Sequence, residues 1–113
     1  MSITNVSGVI DSEVPISVNF SNYSNVSMLF ISQVNKLGVF ILAENENPEA
    51  EIEEKVYNVE VKFGDRCDEW SIALARGIVQ KLNIGKIIIV LSVIQRNPQV
   101  YNLILESLPK IIN

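Results

Sequence analysis

The sequence predicts an α+β fold: a sheet of about six strands, mostly antiparallel, in the order β-β-β-β-β-α-β-α, with two helices packed on one face. Three observations predict it. Apolar and polar residues alternate with period two at Val14–Phe20 and again at Tyr57–Phe63, as half-exposed strands require. The period becomes helical only after Gly64. Between the two helical segments lies "KIIIVLSVI" (86–94), whose unbroken β-branched residues suit a strand buried on both sides.

The elements are justified in chain order. Ile3–Ile10 is a first strand. Val14, Ile16, Val18 and Phe20 then alternate with Pro15, Ser17 and Asn19, and "SNYSN" (21–25) turns the chain. Val26–Val34 and Leu37–Ala43 read as a β-hairpin around the polar break Asn35-Lys36, and the tight connections predict an antiparallel meander. "ENENPEAEIEEK" (44–55), with six acids and a proline, reads as a solvated loop. Tyr57, Val59, Val61 and Phe63 form the apolar side of the next strand. Gly64 breaks it, and Asp65 or Asp68 caps a helix by accepting from its free N–H groups. Trp70, Ala73, Leu74, Gly77, Ile78 and Leu82 fall on one face of that helix, which Asn83-Ile84-Gly85 ends. Asn97 caps the second helix, with Pro98 in its first turn, where a missing N–H costs nothing. Val100, Leu103, Ile104, Leu108 and Ile111 form its stripe, and Pro109 is expected to kink or end it.

The 113 residues make one domain, 1–113, long enough for a core without disulfides or metal. A hydrophobic content of 48% and a mean hydropathy of +0.25 are high for so small a chain and point to surface covered by a partner. The net charge of −4 argues against nucleic acid, which needs clustered Lys and Arg. Residues 1–55 hold eight acids against Lys36 and Lys55, a sum of −6; residues 56–113 hold seven bases against five acids, a sum of +2. The start lacks a basic, apolar leader, and no run approaches the ~20 residues that span a bilayer. A cytoplasmic or nuclear setting, no membrane association, and unglycosylated N-x-S sites at Asn5, Asn19, Asn22 and Asn25 are therefore expected.

Catalytic chemistry finds little support. There is no His, hence no Ser-His or Cys-His pair, and no phosphate-binding Gly pattern. Cys67, beside Arg66 and near a helix start, is in a setting that lowers a thiol pKa but has no base at hand, so an incidental role is the better reading. Asp65, Asp68 and Glu69 suit a helix start more than an acidic site. The 44–55 loop lacks the Asp-rich, Gly-centred pattern of an EF-hand, and contact with a basic partner suits it better than a metal. No enzyme activity, metal or cofactor is expected.

Geometry points instead to association. Six strands ~4.8 Å apart make a sheet ~29 Å wide, whereas two helices ~10 Å apart cover ~20 Å of one face only. The segments 26–34, 37–43 and 87–94 are nevertheless apolar on both faces. Either the sheet folds over on itself or, as we expect, another chain covers the second face. The candidate interface is Met28, Leu29, Phe30, Ile31, Val39, Phe40, Ile41 and Leu42. Met28 and Phe30 point opposite to Leu29 and Ile31, as Phe40 and Leu42 do to Val39 and Ile41, and the sequence leaves open which face serves.

This order of elements resembles the proteasome assembly chaperone 3 family. The resemblance is carried by "VPISVNFSNYSNVSMLFISQVNKLGVFILAE" (14–44), in which Gln33, Lys36 and Gly38 mark the break between two apolar strands. It continues through "VEVKFGDRCDEWSIALARGIV" (59–79), "GKIIIVLSVI" (85–94) and the last helix. The chaperone 4 subfamily shares the architecture; the Gln33/Lys36/Gly38 break favours chaperone 3. The resemblance implies a non-catalytic chaperone of 20S proteasome α-ring assembly. It implies pairing with a proteasome assembly chaperone 4-like subunit, binding to α-subunits, the α5 subunit in particular, and departure as β-subunits join. The loop 44–55 is longer and more charged than the family leads one to expect. In isolation the chain is expected to be able to form a homodimer. The competing reading is a small roadblock- or longin-like dimeric adaptor, against which the five strands before any helix count.

Overall fold

Five strands precede the first helix, and one strand separates the two helices, in the predicted α+β order. The computed structural model describes residues 4–23, 26–33, 38–45, 57–64, 68–82 and 85–112. Its elements are β1 (Thr4–Ile10), β2 (Ile16–Asn22), β3 (Ser27–Ser32), β4 (Val39–Asn45), β5 (Tyr57–Phe63), α1 (Glu69–Leu82), β6 (Lys86–Ser92) and α2 (Pro98–Ile112). They build one six-stranded sheet in the order β1-β2-β3-β6-β4-β5, which does not fold over on itself.

The hairpin expected at 26–43 is not formed. The first three strands are an antiparallel meander, but β6 enters between β3 and β4, parallel to the first and antiparallel to the second. The physical reason lies in β6 itself. Its run Ile87–Leu91 is apolar on both faces, so an edge position would leave it half wet, while a central slot gives it a neighbour on each side. β5 and β6 each run antiparallel to β4. Helix α1 therefore makes a parallel crossover from the edge of the sheet to its middle, over β4.

Two residues from the polar break clasp the end of β6. The Gln33 backbone N–H donates to the Ser92 carbonyl (3.0 Å), and its side-chain Oε1 accepts from the N–H groups of Ile94 and Gln95 (2.9 Å each). Its Nε2 donates to the Val14 carbonyl (3.0 Å) and to Gln95 Oε1 (2.9 Å), tying in the β1–β2 connection. Gly38 lies so close to β6 that a Cβ would fall 1.7 Å from the Leu91 carbonyl oxygen. The turn itself, 34–37, lies outside the described residues.

Cross-strand register gives each face of the sheet a single character. Val18, Ile31 and Leu91 form one row; Phe20, Leu29, Ile89, Ile41 and Val61 form the next. All are buried under the helices with Leu74, Ile78, Ile104 and Leu108. Helix α1 packs against β4, β5 and β6, and α2 packs against β1 and α1. Pro109 does not end α2, which runs on to Ile112. Only one turn follows the proline, and Ile111 in that turn packs against Gly8 of β1, so tertiary contact offsets the lost hydrogen bond.

The two helix starts are joined. Of the two candidate caps, Asp68 fills the role: its Oδ1 accepts from the Ser71 N–H (3.1 Å) and its Oδ2 from the Ser71 hydroxyl (2.7 Å). Arg96 Nη1 donates to the same Oδ2 (2.5 Å). Asn97 caps α2 through the Val100 N–H (2.9 Å), and its carbonyl accepts from Trp70 Nε1 (3.3 Å). The Trp70 ring meets Tyr101 edge-on at 6.5 Å, in keeping with the packing role read for Trp70. Asp68→Ala removes one cap bond and two side-chain partners at a buried position. It is expected to lower stability by about 2 kcal/mol in urea denaturation, without altering the far-UV spectrum of the folded chain.

Candidate interaction surface

The strand positions that point away from the helices were built by the same alternation, one residue out of phase. In register, Met28, Ile88 and Leu42 stand side by side in one row, and Phe30, Val90, Phe40 and Phe63 in the next. No helix lies on this side among the described residues. Phe30 is 41% exposed and Phe63 54%. Val90 between Phe30 and Phe40 is covered by its neighbours and only 6% exposed.

The band has a polar surround. Asn19 and Ser21 of β2 flank it on one side, Glu60 and Lys62 of β5 on the other. Lys86 and Glu44 face each other across β6 and β4 below it, and Ser17, Ser32 and Ser92 form the row above. Lys62 and Glu60 form an exposed ion pair at 3.1 Å. An apolar centre with a polar rim is the anatomy of a protein–protein interface. Near its β4–β6 side the face is hollowed into a groove of about 300 Å³ lined by Phe40, Ile41, Leu42, Ile88, Lys62 and Lys86.

The eight interface residues read from sequence divide equally. Met28, Phe30, Phe40 and Leu42 are on the open face; Leu29, Ile31, Val39 and Ile41 are in the core, at most 5% exposed. Three residues of the band were not among the eight. Ile88 and Val90 had a signal, the two-faced apolarity of 86–94. Phe63 had none in local periodicity, which puts it with Val61. Val61 pairs with Ile41 and Phe63 with Phe40, so Lys62 has no residue opposite it. This β-bulge shifts the phase and turns Phe63 to the open face, where its ring meets Phe40 edge-on at 5.8 Å and 71°.

The other candidates fall elsewhere. Asp65, Arg66 and Cys67, with most of the acidic loop (46–55), lie outside the described residues. Among the described residues no three His, Cys, Asp or Glu side chains gather as metal ligands, and no helix is long and apolar enough to cross a membrane.

Comparison with known proteins places this architecture. The fold is that of a subunit of a proteasome assembly chaperone: the chain superposes over 100% of its length on 100% of a chain from the crystal structure of a chaperone complex for yeast 20S proteasome assembly, with a TM-score of 0.77 and 14% identity. The sequence profile of proteasome assembly chaperone 3 matches residues 29–111, and the chain belongs to that family. No curated protein sequence matches it significantly.

Proposed function

We propose that this chain is a non-catalytic chaperone of 20S proteasome α-ring assembly that works as half of a dimer, with the helix-free face of its sheet as the subunit contact. The observation that carries the reading is the pair of in-register apolar rows on a face that nothing among the described residues covers. Size argues for what covers them. The part of the face over β3, β6, β4 and β5 measures roughly 19 by 24 Å, or ~450 Å² before side-chain relief is counted. A stable pair buries about 800 Å² per partner, so a single added strand or peptide falls well short. A second sheet, packed face to face at ~10 Å, fits. In the cell that sheet belongs to a proteasome assembly chaperone 4-like subunit; in isolation, a second copy serves.

The dimer then presents its outer surface to proteasome α-subunits, the α5 subunit in particular, and releases them as β-subunits arrive. Release requires that contact to be smaller and more polar than the dimer interface. The work takes place in the cytoplasm, and possession of an active site is not required for it. Phe30→Asp sets a charge at the β3 end of the band's longer row, beside Val90, and is expected to give a folded monomer by multi-angle light scattering. It is also expected to lose the α-subunits that co-purify with the wild-type chain. A variant that keeps the wild-type mass and its α-subunits would refute the reading.

A further inference from the structure

Relief on the open face is unevenly distributed. The half over β1 and β2 is polar: Asn5, Ser7, Ser17, Asn19 and Ser21, with Val9 the one large apolar side chain. The opposite half carries both a projection and a hollow. Phe63, on the edge strand, is the most exposed aromatic ring of the described residues, yet it is held by its edge-on contact with Phe40. Beside it lies the groove lined by Phe40, Leu42 and Ile88 together with Lys62 and Lys86. An exposed ring already fixed by a neighbour loses little freedom on association, and rigid aromatic anchors dominate interface energies. The bulge that exposes it interrupts the β4–β5 ladder at Lys62, a local cost that regular pairing would have avoided.

We propose that the subunit contact is off-centre, with Phe63 as its anchor. The opposing sheet, of this same fold, sits over β3, β6, β4 and β5 and overhangs the β5 edge, and it leaves the β1–β2 half in water. It accepts the Phe63 ring in an apolar recess and sends a side chain of its own into the Phe40–Leu42–Ile88 groove. The proposal rests on the dimer reading above and specifies its position. It also leaves a solvent-facing strip on β1 and β2 beside the joint.

Sedimentation equilibrium on the purified full chain, with a second copy as the partner, tests this. Phe63 is exposed at the sheet edge, so Phe63→Ala is expected to keep the wild-type melting profile while self-association weakens at least about tenfold. Ser7→Arg, an exposed site on β1, is expected to associate within about twofold of wild type. Unchanged association of Phe63→Ala, or equal weakening by Ser7→Arg, overturns the off-centre contact. Phe30→Asp separates the two ideas. If it is monomeric while Phe63→Ala associates normally, the face is right and its anchor is wrong. If Phe30→Asp associates like wild type, or if wild type stays monomeric at its highest soluble concentration, both fall.

Discussion

Gly38→Ala is expected to lose more than about 3 kcal/mol of stability, enough to leave much of the chain unfolded at physiological temperature. The new Cβ would fall 1.7 Å from the Leu91 carbonyl oxygen, 2.7 Å from its carbon and 2.8 Å from Ser92 Oγ. Two of these are backbone atoms of the central strand, so no rotamer change relieves the overlap. Relief requires β4 to move away from β6, and the pairing of Val39 with Leu91 starts one residue later. The loss therefore spreads into the ladder that holds the two halves of the sheet together. Gly85→Ala is the control. Nothing stands within 4 Å of its added Cβ, and the substitution is expected to stay within about 0.5 kcal/mol of wild type. Thermal melts tracked by circular dichroism compare the two; similar midpoints would mean that β4 and β6 are not clamped at Gly38.

The same position shows which parts of the fold were legible in the sequence. Periodicity located every strand and helix, because alternation and the helical repeat are local. Strand neighbours are not local. The 26–43 segment has all the marks of a hairpin, and nothing between Val26 and Ala43 signals that β6, some fifty residues on, will part the two strands. The hints were the two-faced apolarity of 86–94 and the Gln33/Gly38 break, whose roles make sense only with β6 in place: one residue holds its exit, the other lets it approach. Phe63 shows the second limit. Period-two reasoning assumes unbroken pairing, and one unmatched residue, Lys62, turns Phe63 to the opposite face. Pro109 was read by its backbone cost alone, while the packing of Ile111 against β1 decides the outcome. Which of the two apolar sets lay in the core also had to await the helices, since both are strongly hydrophobic.

Adjacent residues on β3 should separate stability from association. Leu29 is fully buried in the row Phe20–Leu29–Ile89–Ile41, beneath the helices. Leu29→Asp places a carboxylate there with no buried cation among the described residues, leaving a choice between burying a charge and opening the sheet. Adding the lost packing of the leucine, ~3 kcal/mol or more, brings the total to the scale of a small domain's entire stability. The expected result is an unfolded or aggregated chain with no cooperative melt. Phe30, one position along, points to the open face and is 41% exposed. Its replacement by aspartate leaves the carboxylate in water, so the monomer is expected to melt within a few degrees of wild type, by the usual smallness of surface changes. What it loses is the pair, because a charge now lies within the apolar band, beside Val90. If instead the two variants behave alike, both unfolding or both remaining associated, the division of β3 into a core face and a subunit face is wrong.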